Sequence, residues 1–326
     1  MASISPSISS PWHGPSPTPT QRLLLAACME SNHERALAAW REWCDHCDFE
    51  REDGASHELA SLLVAKLGVS EAGGGIASRS LGWYRRAWFL SELAAAAANS
   101  LAEVCHKRGI QATAIGDLAC WLSTTRFAGR RLPIRSIELF VPSADRRICR
   151  ELNELALSGP AGDGIRGRQI GLRIIPLIGD RLVAATAASA TPRGDLALPS
   201  AGAQIAHLAA RNWCWDPPQK LRWMMEIFSI VQARADDEDL ATQMGVVIAQ
   251  ADAGWSTERA LLALRAVIPG QAQAARKLDP LIAAAAARQG GLAARSRGLL
   301  RLSPFGPSLS RCQLSLSGLN PRRLGA

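Results

Sequence analysis

The spacing of hydrophobic residues changes twice along the chain, and this change constrains the fold more than any other feature of the sequence. Up to Gly109, apolar residues recur at helical spacing, most clearly from Leu81 to Lys107. Between residues 110 and 178, short strand-like segments are separated by helical ones, and after residue 200 helical spacing returns. The sequence therefore predicts an α+β fold, in which a small mixed sheet lies between two helical regions.

The same changes divide the chain of 326 residues into six predicted parts. They are a disordered Ser/Pro-rich segment (1–20), an N-terminal helical region (21–108), an α/β core (109–180), an Ala/Thr-rich loop (181–199), a C-terminal helical region (200–289) and a basic, disordered tail (290–326). Within the core we expect strands at Ile110–Ile115, Ile134–Val141 and Gln169–Ile178. The middle one, bounded by prolines on both sides, is expected to be an interior strand of the sheet.

Composition and charge exclude several classes of protein. Apolar residues make up 48% of the chain and charged residues 20%, which is typical of a globular protein, and no apolar run is long enough to cross a membrane. The net charge of +8 is concentrated in the tail, where six arginines and no acid follow residue 289. We therefore expect at most non-specific contact with nucleic acid, made through the tail. The first 20 residues lack the features of a secretory signal, so the sequence predicts a cytoplasmic protein.

Six segments of the chain carry motifs in a characteristic order. They are Ala39–Trp43, Trp83–Trp88, Gly109–Ala119, Ser136–Val141, Ile170–Arg173 and His207–Ile227. Their order and spacing, across about residues 21–270, resemble the uncharacterised bacterial nucleotidyltransferase family of the polymerase-beta-like superfamily. The resemblance implies transfer of a nucleoside monophosphate from a nucleoside triphosphate (NTP) to an acceptor, with Mg²⁺ as cofactor.

The family's chemistry depends on carboxylates at fixed strand positions. An Asp-x-Asp pair on one strand aims two carboxylates at one point, and a neighbouring strand adds a third, so that two Mg²⁺ ions can be held. By the resemblance, Ser136 and Glu138 occupy the first two positions and Gly171 the third. Only Glu138 could bind a metal ion, so the resemblance implies a degenerate metal site.

The family's phosphate-binding turn is altered as well. A glycine turn before a helix lets backbone N–H groups approach a phosphate, and Gly116 keeps such a turn. Asp117, however, places a carboxylate in the first helical turn, which stabilises the helix and opposes an anion. Three further residues are candidates for contacting a ligand at the cleft, with ordinary helix packing as the alternative interpretation. They are His207, Arg211 and Arg222.

The sequence therefore predicts a pseudo-nucleotidyltransferase that acts by binding and requires neither Mg²⁺ nor an NTP. Two alternatives stay open. In the first, the protein is an active Mg²⁺-dependent nucleotidyltransferase that uses Glu138 and a second acid not located in the sequence. In the second, it binds nucleic acid through its basic tail. The partner is an unknown acceptor or a protein, and family association points to products of a bacterial biosynthetic gene cluster.

Overall fold

The structure is a computed structural model that describes residues 17–123, 132–134, 136–142, 151, 154, 171–176, 181–212, 221–234, 239–268 and 272–288. Within these residues the chain forms twelve helices and five strands, and the predicted α+β class is confirmed. The helices are α1 (Pro19–Met29), α2 (His33–His46), α3 (Gly54–Leu67), α4 (Val69–Ala72), α5 (Gly74–Lys107), α6 (Gly116–Leu122), α7 (Arg181–Ala188), α8 (Ala201–Asn212), α9 (Arg222–Ala233), α10 (Leu240–Ala251), α11 (Gly254–Val267) and α12 (Ala272–Ala287). The strands are β1 (Ala112–Ile115), β2 (Ser136–Val141), β3 (Gly171–Pro176), β4 (Thr191–Arg193) and β5 (Leu196–Leu198).

The first helix begins earlier than the sequence predicted. The backbone N–H of Gln21 donates to the Thr18 hydroxyl at 3.2 Å, and the Thr18 N–H donates to the Gln21 side chain at 2.9 Å. Pro19 takes the first helical position, where its missing N–H costs nothing. Pro19 and residue 20 are therefore helical and do not belong to a disordered segment. Residues 1–16 and the tail from 290 lie outside the described residues.

The long helix α5 also begins before its predicted start at Leu81, because Gly74 and Gly75 form its first turn. Glycine is a weak helix former, but Ala77 and Ser80 follow at once and are fully buried, so packing favours the helix here. The helix has 34 residues and is about 51 Å long. Its beginning packs on α3, and its end packs on the sheet.

The sheet has the strand order β3-β2-β1-β5-β4. Strand β2 pairs antiparallel with β1 and parallel with β3, so the prediction that it is an interior strand is confirmed. In the register with β1, Glu138 lies opposite Ile115. In the register with β3, Ser136 lies opposite Gly171 and Glu138 opposite Arg173.

Residues 181–199 do not form the predicted loop. They contain α7 and a β4–β5 hairpin, in which Gly194 adopts φ +65° at the turn. Strand β5 extends the sheet by pairing with β1, where Leu196 lies beside Ala112. Strands of three residues are too short to show an alternating pattern, and this pairing joins segments far apart in the sequence.

The two faces of the sheet have different neighbours. On β2, Ile137, Leu139 and Val141 belong to a hydrophobic cluster with the alanine-rich end of α5. Phe140 lies on the other face, packed with Val183 of α7. Because strand side chains alternate, Ser136 and Glu138 share the Phe140 face, as the sequence predicted.

The remaining helices complete the core. Helices α1–α3 and α8–α12 contribute to one large hydrophobic cluster, which includes Trp40, Trp43 and Leu261. The region from residue 200 to 288 is helical in its described parts, as helical spacing predicted. Residues 143–150 and 155–170 of the predicted α/β core lie outside the described residues. In the described part of the chain, no helix is both long and apolar enough to cross a membrane.

Candidate functional site

The glycine turn and the candidate metal ligand lie against each other. Gly116 follows β1 directly and adopts φ +58°, a left-handed conformation that favours glycine. A Cβ atom at this position would lie 3.1 Å from Oε2 of Glu138, which is tighter than an ordinary van der Waals contact. Both the backbone conformation and the nearby carboxylate therefore favour glycine at residue 116.

The carboxylate of Glu138 is engaged by Arg211, which extends from the last turn of α8. Arg211 Nη2 donates to Glu138 Oε1 at 2.6 Å, and Arg211 Nη1 donates to Oε2. The Glu138 side chain is only 7% exposed, whereas that of Arg211 is 32% exposed. A two-point contact of this kind is the strongest form of ion pair between side chains. The guanidinium thus supplies the positive charge that a buried carboxylate requires.

His207 lies one helical turn before Arg211 and is 2% exposed. Its Nε2 atom lies 3.4 Å from Arg211 Nη1. Because an arginine side chain can only donate, a hydrogen bond between these two atoms has Nε2 as its acceptor. The structure therefore brings together three of the predicted site residues, Glu138, His207 and Arg211, beside the Gly116 turn.

Arg222, the third cleft candidate on a helix, lies in a different cluster. Its Nε donates to Glu226 Oε1 at 2.8 Å, and its Nη1 donates to Glu58 Oε1 at 3.0 Å. Burial alone would lower the pKa of Arg222, but the neighbouring carboxylates, Glu226 first and then Asp117, outweigh it and raise that pKa. Arg222 is therefore charged and fully buried, and it acts as a structural counter-ion.

Asp117 takes part in this second cluster. It is 8% exposed and close enough to Arg222 to raise the pKa of the guanidinium. Cys120, on the next turn of α6, is also buried, and burial followed by the Glu226 and Asp117 charges raises the pKa of its thiol well above the ordinary value. A thiol in this state is a poor nucleophile. Asp117, which directly follows Gly116 in the turn, therefore interacts electrostatically with the buried Arg222.

The residues beside the Gly116 turn do not fit a Mg²⁺ site. Ser136 carries no charge, and Gly171, its neighbour on β3, has no side chain. Both oxygens of Glu138 already accept from Arg211. Among the residues that the structure describes, no three His, Cys, Asp or Glu side chains are grouped as metal ligands would be. The acids nearest to β2 and β3 in sequence, Asp145, Asp163 and Asp180, lie outside that part.

Sequence reasoning missed the partners of these charged residues. The Glu138–Arg211 pair joins residues 73 positions apart, and the Glu58–Arg222 pair joins residues 164 apart, so no local spacing reveals them. The Arg222–Glu226 pair could have been found, because its members lie one turn apart on a strongly apolar helix.

Comparisons of the chain with protein-family models, with curated proteins and with solved structures give no match.

Proposed function

We propose that this protein is a pseudo-nucleotidyltransferase, in which an internal ion pair takes the place of the metal site and the protein acts by binding. The observation that carries the proposal is the two-point contact of Arg211 with the buried carboxylate of Glu138. In a nucleotidyltransferase, a carboxylate at this strand position faces Mg²⁺. Here it faces a guanidinium that belongs to the chain itself.

The backbone arrangement supports the nucleotidyltransferase part of the proposal. Strand β1 ends at the Gly116 turn, and the antiparallel strand β2 places Glu138 beside that turn. Strand β3 pairs with the other edge of β2. The register sets Gly171 beside Ser136, so an acid at each of these two residues would lie on adjacent strands. This is the arrangement that the family's three carboxylates need.

The charge balance supports the loss of catalysis. Two Mg²⁺ ions require several carboxylates, and of the three strand positions Ser136, Glu138 and Gly171 only Glu138 carries one, which already pairs with Arg211. A metal ion would have to displace Arg211, at the cost of breaking a partly buried ion pair.

Calorimetric titration with Mg²⁺ and each of the four NTPs tests the proposal. We expect no Mg²⁺-dependent binding by the wild-type protein, because Ser136 and Gly171 supply no carboxylate and Glu138 is paired with Arg211. Micromolar affinity that depends on Mg²⁺ would contradict the proposal and favour an active nucleotidyltransferase that uses Glu138 and a further acid.

A gain-of-function variant tests the alignment of the site. The combination Ser136→Asp, Gly171→Asp and Arg211→Ala adds two carboxylates and frees the third. We expect at least about tenfold tighter Mg²⁺ binding, because even the outer-sphere partners of metal ligands change affinity by about 10–100-fold. Arg211→Ala alone is the matched control, since it frees one carboxylate and adds none. If the combined variant folds and binds Mg²⁺ no better than this control, the alignment of Ser136 and Gly171 is wrong.

A further inference from the structure

The large hydrophobic side chains that the described residues expose are concentrated on one helix. Trp83, Trp88 and Phe89 of α5 are 51%, 42% and 58% exposed, and only Val246 is comparable elsewhere in that part of the chain. Trp83 lies on another side of α5 and packs on His57, so Trp88 and Phe89 are the two that form one surface. Aromatic side chains grouped on a protein surface commonly mark an interaction site. The middle of α5 is therefore a candidate contact surface.

The exposed side of α5 carries a stripe of residues that recur every three or four positions on either side of two adjacent central residues, Trp88 and Phe89. The α5 stripe consists of Leu81, Arg85, Trp88, Phe89, Glu92 and Ala96. Leu81 is partly exposed and the other five are exposed, so the stripe is accessible over about four turns. Residues at this spacing lie on one side of a helix and can contact a second helix together.

The stripe is symmetric about its centre, which lies between Trp88 and Phe89. Arg85 and Glu92 are equally far from that centre, and so are Leu81 and Ala96. If two copies of α5 pack antiparallel about a twofold axis at this point, each residue meets its symmetric counterpart on the other copy. Trp88 then packs on the partner's Phe89, and Arg85 meets the partner's Glu92.

The stripe also carries one residue of each charge. Arg85 and Glu92 are exposed, and neither forms an ion pair with any residue that the structure describes. They lie seven residues apart on one helix, a rise of about 10 Å, which is too far for a direct ion pair. In the antiparallel arrangement both would be paired, and two symmetric ion pairs would flank a central aromatic contact.

We propose that the protein forms a twofold-symmetric homodimer through the α5 stripe. A second copy of the chain fits better than a nucleic acid, because Glu92 would repel phosphates and the stripe carries no net charge. An isologous interface also requires a self-complementary surface, which the symmetric order of the stripe provides. From Leu81 to Ala96 the stripe is only about 24 Å long, so we expect a dimer of moderate affinity.

Charge reversal tests the antiparallel register. Arg85→Glu and Glu92→Arg each place two like-charged pairs in the dimer, and we expect each variant to dimerise about tenfold more weakly or worse. An equimolar mixture of the two variants should form a heterodimer, because both of its ion pairs are then restored. The double variant Arg85→Glu/Glu92→Arg should dimerise like the wild type. Sedimentation equilibrium of the full chain, from low micromolar to submillimolar concentration, measures all four.

Arg86→Glu is the matched control. Arg86 is exposed and has no ion pair with a described residue, but it lies a hundred degrees around the helix from Arg85. It should leave dimerisation unchanged. The proposal is overturned if the wild type is monomeric throughout this range, if Arg86→Glu weakens the dimer as much as Arg85→Glu, or if the mixture of variants stays monomeric. A monomeric wild type whose tryptophan fluorescence is quenched by an oligonucleotide would assign the surface to nucleic acid instead.

Discussion

At the scale of single residues, the site is organised by Gly116 and the carboxylate beside it. The turn brings the backbone so close to Glu138 that a methyl group would press on Oε2. The same carboxylate is fixed on its other side by Arg211, which in turn contacts His207. Strand β2, the Gly116 turn and helix α8 thus meet at the Glu138–Arg211 ion pair. The geometry of this pair depends on Gly116, because a side chain there would press on the carboxylate.

Gly116→Ala should therefore destabilise the fold. A left-handed conformation costs an alanine about 1–2 kcal/mol, and the contact with Glu138 adds to this, so we expect a loss of about 2–3 kcal/mol. Gly75→Ala is the control, because Gly75 lies in the first turn of α5 with negative φ and nothing within 4 Å of an added Cβ. That change should be neutral or stabilising. Urea denaturation of both variants measures the difference, and equal stabilities would mean that the Gly116 turn relaxes freely.

At the scale of secondary-structure elements, the ends of helices depend on contacts made by other helices. Lys66 of α3 illustrates this, because its ammonium group donates to the carbonyl oxygens of Ala27 at 3.2 Å and Cys28 at 2.9 Å, and also to that of Glu30. These carbonyls lie at the end of α1, where no intrahelical N–H remains to bind them. The docking of α1 on α3 therefore depends on a partly buried lysine.

Lys66→Met should separate the packing of this side chain from its charge. Methionine fills similar space but leaves the carbonyls without their donor, so we expect a loss of about 1–3 kcal/mol at neutral pH. Burial lowers the pKa of Lys66 below its ordinary value of 10.5, so the unfolded chain holds this proton more tightly than the folded one. The contribution of Lys66 to stability therefore rises as the pH increases from the folded-state pKa toward 10.5. Denaturation of both proteins across this range should show that the free energy of unfolding of the wild type, relative to that of the variant, increases with pH.

Local patterns in the sequence predicted most elements but not the contacts between them. The alternation of β2 and the spacing of α5 were sufficient to place both, because each shows its period over several residues. The β4–β5 hairpin was not predicted, since each strand has three residues and its stability comes from pairing with β1. A sequence motif identified Glu138, but its pairing with Arg211 could not be predicted, because only the folded chain brings these two residues together.

At the scale of the whole molecule, the parts that the sequence separates are joined by a buried charge cluster. Glu58 of α3 and Glu226 of α9 both pair with Arg222, and Asp117 at the start of α6 lies within its electrostatic reach. The N-terminal helices and the C-terminal helices also contribute to the same hydrophobic cluster. The boundaries predicted near residues 108 and 200 are therefore changes in local structure and do not separate independent cores.

This arrangement predicts a single cooperative unfolding transition that depends on Arg222. Arg222→Met leaves the carboxylates of Glu58 and Glu226 without their buried counter-ion, and breaking such a cluster costs about 3–5 kcal/mol. The loss should appear equally in tryptophan fluorescence, to which Trp40 and Trp43 of the N-terminal helices and Trp223 and Trp255 of the C-terminal helices all contribute, and in far-UV circular dichroism of the whole chain.

Two further variants define the outcome for Arg222. Arg265→Met removes a partner from an ion pair with Asp279 in which both side chains are 47% exposed, so it should change stability by less than about 1 kcal/mol. Arg222→Met/Glu226→Met removes one buried carboxylate together with the arginine and should recover part of the lost stability. Both variants are compared with the wild type by urea denaturation followed with the same two probes. Two separate transitions in the wild type, or an Arg222→Met variant as stable as Arg265→Met, would show that the helical regions fold independently of the cluster. A single transition that shifts to lower urea only when Arg222 is changed would instead identify this arginine as the residue that couples the N-terminal helices, the sheet and the C-terminal helices.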